Sequence, residues 1–163
     1  MNLYENRYFL DENDRSKILD GSKLQDIHVD KILFMINKLT NNEFRSTLLA
    51  QNLDRIEMVP RNKTHIQIIH SCNDNCKKCI GGHWVCLYFN TKEFFVYDSY
   101  RSLDEEEKNK KKELNKAQKL FVKKLFPYID EYPPVRYPRV QKQKNDNDCG
   151  VFAIAFATSL VFQ

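Results

Sequence analysis

The first 22 residues are polar and show no apolar period, and with Gly21 and Ser22 as punctuation they read as a loose leading segment. After Gln25 and Asp26, which can start a helix, Ile32, Leu33, Ile36 and Leu39 recur at helical spacing. Thr40 to Asn42 ends that helix. Glu43 to Asn52 reads as a second, shorter helical or irregular stretch, and Asn52 to Pro60 as a connector. From His65 the period changes. Ile66, Ile68 and Ile69, then Trp84 to Phe89, then Phe94 to Tyr97 are rich in branched and aromatic side chains and predict three successive strands. Asn90, Thr91 and Lys92 supply a short turn, which makes the last two an antiparallel hairpin.

Further on, Ser102 to Glu105 has the spacing of a capping box, and Leu114, Ala117, Leu120, Phe121 and Leu125 form one apolar face. A long amphipathic helix from about Asp104 to Phe126 is expected. Its lysines (108, 110, 111, 112, 116, 119, 123 and 124) read as a solvated face. Pro127, Pro133, Pro134 and Pro138 break the next segment, although Val135 to Val140 can form one more strand, at an edge. The polar loop QKQKNDND then leads to Cys149, Gly150 and VFAIAFATSLVF, which is apolar on nearly every face and predicts a buried helix.

A chain of 163 residues, 42% hydrophobic and 29% charged, fits one globular domain and is unlike disordered or collagen-like sequences. The run from Val151 to Phe162 is too short to cross a bilayer, and MNLYENRYFLDENDR lacks the basic-then-apolar order of a secretion signal. An intracellular protein, in nucleus or cytoplasm, is therefore expected. The net charge of +4 lies largely in the lysine-rich stretch and does not require a nucleic-acid partner. Five cysteines, an odd number without a secretion signal, leave reduced thiols, a metal site or a reactive cysteine as the choices.

Cys149 draws attention because it stands where a polar loop becomes an apolar helix, so unpaired N–H groups and the positive end of the helix dipole favour its thiolate. A thiolate in acyl transfer needs an imidazole to hold charge and deliver a proton. His28 falls on the apolar helix, and His65 and His70 flank a strand. His83, between Gly81-Gly82 and Trp84, sits at the mouth of a strand. If the hairpin forms, Asp98 at the end of its second strand lies beside His83 and can orient the ring. Gln143, six residues before Cys149, can aim an amide N–H at a developing oxyanion together with the Cys149 N–H. Taken singly, each has an ordinary structural reading: a core thiol, a turn aspartate, a solvated glutamine.

The order GHW, YDS, then Q-x-N-x-x-D-C-G-V-F resembles the ubiquitin-like-protein-specific (SUMO/NEDD8) cysteine proteases, a family related to the adenovirus protease. The resemblance covers about residues 65 to 160, and the first helix more loosely. It implies an α+β fold with a central, mostly antiparallel sheet flanked by helices, and one catalytic domain over 1–163. Fourteen residues follow Cys149, fewer than such domains usually carry, which reads either as a domain trimmed at its C-terminus or as a divergent, partly degraded gene. It also implies His83 as general base and acid, Asp98 as its orienting partner, Gln143 as oxyanion donor and Cys149 as nucleophile. Trp84 inherits a place over the tunnel for a Gly-Gly tail, with plain core packing as the alternative. KLQDIHVDKIL resembles the family's L-x-D-x-x-I segment, which makes Asp26 a substrate contact or a helix cap. Lys23 stands where the family commonly has an aromatic residue, which weakens any transfer of SUMO preference.

Cys72, Cys76 and Cys79, with His70 near, have a spacing that can hold zinc, or they belong to an insertion loop; no cofactor is expected. Cys86 inside a strand reads as a small core residue, and Asn62-Lys63-Thr64 is a formal glycosylation sequon. The leading expectation is a monomeric thiol protease acting on a ubiquitin-like modifier, its precursors or its conjugates, deSUMOylation included, without a nucleic-acid or membrane partner. The other readings are a viral or mobile-element polyprotein protease of the same fold, a catalytically dead modifier-binding module, and a zinc-dependent nucleic-acid binder.

Overall fold

The computed structural model describes residues 11–39, 54, 56–70, 83–100 and 113–163. Helix α1 spans Glu12–Leu19 and α2 spans Asp26–Asn37; strands β1 (His65–His70), β2 (Trp84–Phe89) and β3 (Phe94–Tyr97) follow, then α3 (Lys116–Leu125), β4 (Val135–Arg136) and α4 (Cys149–Val161). The sheet order is β1-β2-β3-β4. The first three strands pair antiparallel, and β4 lies parallel to β3 at the edge. An α+β fold with a mixed sheet flanked by helices results.

The three main strands lie where their alternation puts them. Side chains on a strand point to opposite faces in turn, and β2 is covered on both. Val85, Leu87 and Phe89 join Phe94 and Val96 of β3 in a cluster with Phe121, Val122 and Leu125 of α3. Trp84 and Cys86 join Ile68 of β1 in a second cluster with Val29 and Leu33 of α2 and Ala153, Ile154 and Ala157 of α4. Burial of both faces explains why WVCLYF carries no charge. The hairpin turn closes as expected: Thr91 takes a left-handed φ of 78°, and the Asn90 side-chain oxygen accepts from the N–H of Lys92 and Glu93.

Several expectations need correction. The leading segment is not loose throughout, since α1 forms without an apolar face. Asp11 and Asp14 build a capping box at its start, and Asp14 is then held by Lys31 and by His28 of α2 at 3.5 Å. Tertiary ion pairing, with Ile18 packed on the second core cluster, stands in for a full hydrophobic stripe. Of the helix expected from Asp104, positions 104–112 lie outside the described residues; the helix is not continuous to Phe126, because Glu113 to Asn115 are not helical and α3 begins at Lys116 behind a capping box of Asn115 and Gln118. Lys116, Lys123 and Lys124 on it face solvent, while Lys119 pairs with Glu113 at 3.4 Å. The edge strand is two residues long rather than six.

Helix α4 is half buried, not enclosed. Cys149, Gly150, Ala153, Ile154 and Ala157 face inward, whereas Val151 is 47% exposed, because a helix laid on a sheet buries one stripe. The stretch from Glu43 to Asn52, Cys72, Cys76, Cys79 and the lysines at 108 to 112 lie outside the described residues. Among the described residues no helix is long and apolar enough to cross a membrane.

Candidate active site

Antiparallel pairing brings three chain positions to one end of the sheet. His70 closes β1 opposite Trp84, the first residue of β2, and Tyr97 at the end of β3 pairs with Cys86. His83 and Asp98 flank the strands at that same end, and the His83 Nε2 lies 2.7 Å from Asp98 Oδ1. The same oxygen accepts the Tyr100 N–H at 2.9 Å. Both side chains are largely buried, at 15% and 18% exposed, which favours a fixed geometry.

Helix α4 packs its first turn on the other side of His83. Cys149 is its first residue and is 1% exposed. The capping position, Asp148, places no side-chain bond on the helix start, so the first-turn N–H groups are not spent on a cap. The thiol hydrogen-bonds the His83 ring and receives the Trp84 backbone N–H. With Nε2 given to Asp98, Nδ1 is the ring nitrogen left for sulfur.

Opposing forces set the protonation states. Burial pulls the His83 imidazolium down, but its hydrogen bonds to Asp98 and Cys149 outweigh this and push it up to about 9. Burial pushes the Cys149 thiol up, yet the His83 ring and the Trp84 N–H hold it below its ordinary value, with Lys23 adding a smaller pull. The two shifts have one meaning: each group favours the charged form of the other, imidazolium beside thiolate. Cys86 is the contrast, buried among apolar groups with its thiol pushed well above the ordinary range.

Gly150 makes this packing possible. A Cβ there would lie 3.0 Å from Leu24 Cβ and 3.3 Å from Trp84 Cδ1. Trp84 itself is 3% exposed, stacks edge-on against His70 at 5.1 Å and donates its Nε1–H to the Leu24 carbonyl at 3.0 Å. The ring lies in the second core cluster beside Leu24, Ile68 and Cys149. Its reach to the site is through its N–H on Cys149 and its grip on Leu24. Asp26 stands half buried at the first position of α2 and acts electrostatically on His70. It does not make the cap, because the His28 Nδ1 accepts the Gln25 N–H.

Gln143 is tied down at both ends of its amide. Its Oε1 accepts from Ser99 Oγ at 2.6 Å, and its Nε2 donates to the Asn145 carbonyl at 2.6 Å. Asn145 organises the approach to α4, accepting from the N–H of Asn147 and Asp148 and donating to the Asp148 carboxylate at 2.7 Å. Tyr100 donates its hydroxyl to Asp146 of this loop and presents its ring edge-on to His83 at 5.7 Å. Neither Ser99 nor Asn145 was singled out from sequence, although YDS and Q-x-N-x-x-D contain both. Among the described residues no group of three or more His, Cys, Asp or Glu is placed to hold a metal ion.

The family model described as Ulp1 protease family, C-terminal catalytic domain, matches residues 57–163. That span contains His83, Trp84, Asp98, Gln143 and Cys149, and it excludes α1, α2 and Asp26. No curated protein matches the chain.

Proposed function

The chain belongs to the Ulp1 protease family, and from that premise we propose that it is a thiol protease and isopeptidase cutting after the C-terminal glycine of a ubiquitin-like modifier of the SUMO or NEDD8 type, within one catalytic domain. The observation that carries the reading is the line Asp98, His83, Cys149, with Nε2 to Oδ1 at 2.7 Å and the thiol hydrogen-bonded to the ring.

Chemistry follows from the charges. The Cys149 thiolate attacks the scissile carbonyl carbon, and the C–O electrons move onto oxygen, held by the Cys149 N–H and the Gln143 amide. As the C–N bond breaks, His83 gives its proton to the leaving amine. A thioester and a neutral imidazole remain. Water, losing a proton to His83, then attacks the thioester and releases the thiolate and the carboxylic acid, which gives its remaining proton to solvent. Asp98 keeps the ring oriented and favours its cationic form. Trp84 lines the channel for the Gly-Gly tail from its place beside Leu24, and Asp26, at the start of α2, contacts the modifier.

Electrophilic probes built on SUMO, NEDD8 and ubiquitin, each ending in Gly-Gly, test this. We expect covalent labelling by at least one probe, lost in Cys149→Ala. Labelling that persists in Cys149→Ala would sink the assignment of the nucleophile, and no labelling by any probe would sink the modifier class.

A further inference from the structure

Resting on the reading of Gln143 as an oxyanion donor, we infer that Ser99 is the positioning residue that aims its amide. Ser99 is 1% exposed, and a buried hydroxyl needs a partner. It meets Gln143 twice. Its carbonyl accepts the Gln143 backbone N–H at 3.0 Å, and its Oγ lies 2.6 Å from Gln143 Oε1.

The direction of the second bond is fixed by the far end of the amide. The Asn145 backbone carbonyl, 2.6 Å away, can only accept, so Nε2 must face it. Oε1 therefore faces Ser99, and Ser99 donates. A flipped amide would press two carbonyl oxygens together. Held in this way, Nε2 has one N–H on Asn145 and a second whose direction the two anchors set. A glutamine side chain loses rotamer freedom when it is immobilised, and Ser99 makes that ordering part of the fold rather than of the reaction. Ser99 also comes directly after Asp98, so adjacent residues at the end of β3 orient the imidazole and the amide. Tyr100 continues the same clamp through its bond to Asp146.

Ser99→Ala, Gln143→Ala and the double variant of the full chain test the assignment. Turnover is read on aminocoumarin amides of SUMO, NEDD8 and ubiquitin, Cys149 alkylation by iodoacetamide, and Gln143 side-chain order by the ¹⁵N–¹H NOE of its amide. Alkylation makes no oxyanion, so it reports only on the Cys149 and His83 pair. In Ser99→Ala we expect a mobile Gln143 amide, kcat about ten-fold lower with KM unchanged, unaltered alkylation, and no further loss when Gln143→Ala is added. Ser99→Thr, which retains the hydroxyl, restores amide order. A Gln143 amide that stays ordered in Ser99→Ala overturns the proposal whether or not any amide is turned over. So does a loss that multiplies with that of Gln143→Ala, or alkylation that falls in parallel. If Gln143→Ala leaves kcat unchanged, the oxyanion reading itself fails and the role of Ser99 with it; if Gln143→Ala is slow and Ser99→Ala is not, Ser99 alone is excluded.

Discussion

Replacing Asp98 by Asn isolates the charge behind the His83 and Cys149 pair. Asp98 Oδ1 accepts from His83 Nε2 at 2.7 Å and from the Tyr100 N–H at 2.9 Å. An Asn Oδ1 can accept both, so the local geometry has no reason to collapse. What goes is the negative charge. His83 stands at about 9 against an ordinary 6.5; burial works to lower it, and Asp98 is the largest of the influences that raise it. At about 1.4 kcal/mol per ten-fold change, losing the greater part of that difference costs the imidazolium roughly 2 kcal/mol, or about 30-fold in population. The signs are then determined. In the native protein thiolate forms below the ordinary cysteine range, and turnover should hold through neutral pH and fall as pH rises through about 9, where His83 loses its proton. In Asp98→Asn the basic limb moves down and the acidic limb up, narrowing the profile from both sides. Peptide-resolved mass spectrometry after timed iodoacetamide exposure reads the Cys149 thiolate, and Cys86, 0% exposed, should not react. An Asp98→Asn alkylation profile that coincides with the native one, in a protein of unchanged secondary structure by circular dichroism, would remove Asp98 as the source of the charge pair.

Other substitutions probe the supports. Gly150→Ala should cut turnover more than stability: its Cβ lies 3.0 Å from Leu24 Cβ, and overpacking of about 1–3 kcal/mol is partly offset by about 1 kcal/mol of helix propensity. A thermal melt beside the turnover assay separates the two effects. Trp84→Phe keeps an aromatic ring but deletes the indole bond to the Leu24 carbonyl at 3.0 Å. It should cost about 1–3 kcal/mol in urea unfolding through the unsatisfied carbonyl and the smaller ring, with Cys149 alkylation retained because the backbone N–H remains. Asp14→Ala removes the partner of Lys31 and His28 and one half of the α1 capping box and should cost about 1–2 kcal/mol; hydrogen exchange should then show α1 opening first.

The strands and the pairing of His83 with Asp98 were legible because one short turn decides both. With Asn90 to Lys92 as the loop, β2 and β3 can pair only so that the start of one meets the end of the other. The place of Cys149 at the start of α4 was legible because the sequence changes character at that residue, from QKQKNDND to an unbroken apolar run. Where the reading failed, the deciding contact was distant or the local signal ambiguous. Helix α1 has no hydrophobic period to find, since it is held by Asp14 on Lys31, 17 residues away, and by the single apolar contact of Ile18 with the second core cluster. The start of α3 was hidden because a lysine-rich run is compatible with helix on both sides of Asn115, and only the box with Gln118 shows which turn is first. Helix α4 was expected to be enclosed because an all-apolar segment does not say which stripe meets the sheet.

The same distinction separates the residues of the site. Cys149, His83 and Asp98 can be proposed from sequence because their own chemistry suits a task. Ser99 has no such chemistry of its own in this setting. Its effect lies in a bond to Gln143 across 44 positions of chain, and a hydroxyl in YDS is as consistent with a turn as with a strut. Residues that act directly on substrate are marked by type, whereas residues that hold them in place are marked by contact. Gln143→Ala and Ser99→Ala therefore measure different things: the first asks whether the amide matters, the second whether its direction is set by the fold. A protease with the amide present but unanchored would have every residue of the motif and still meet its oxyanion with a mobile donor, so the motif alone sets an upper bound on activity that the Ser99 bond decides whether the molecule reaches.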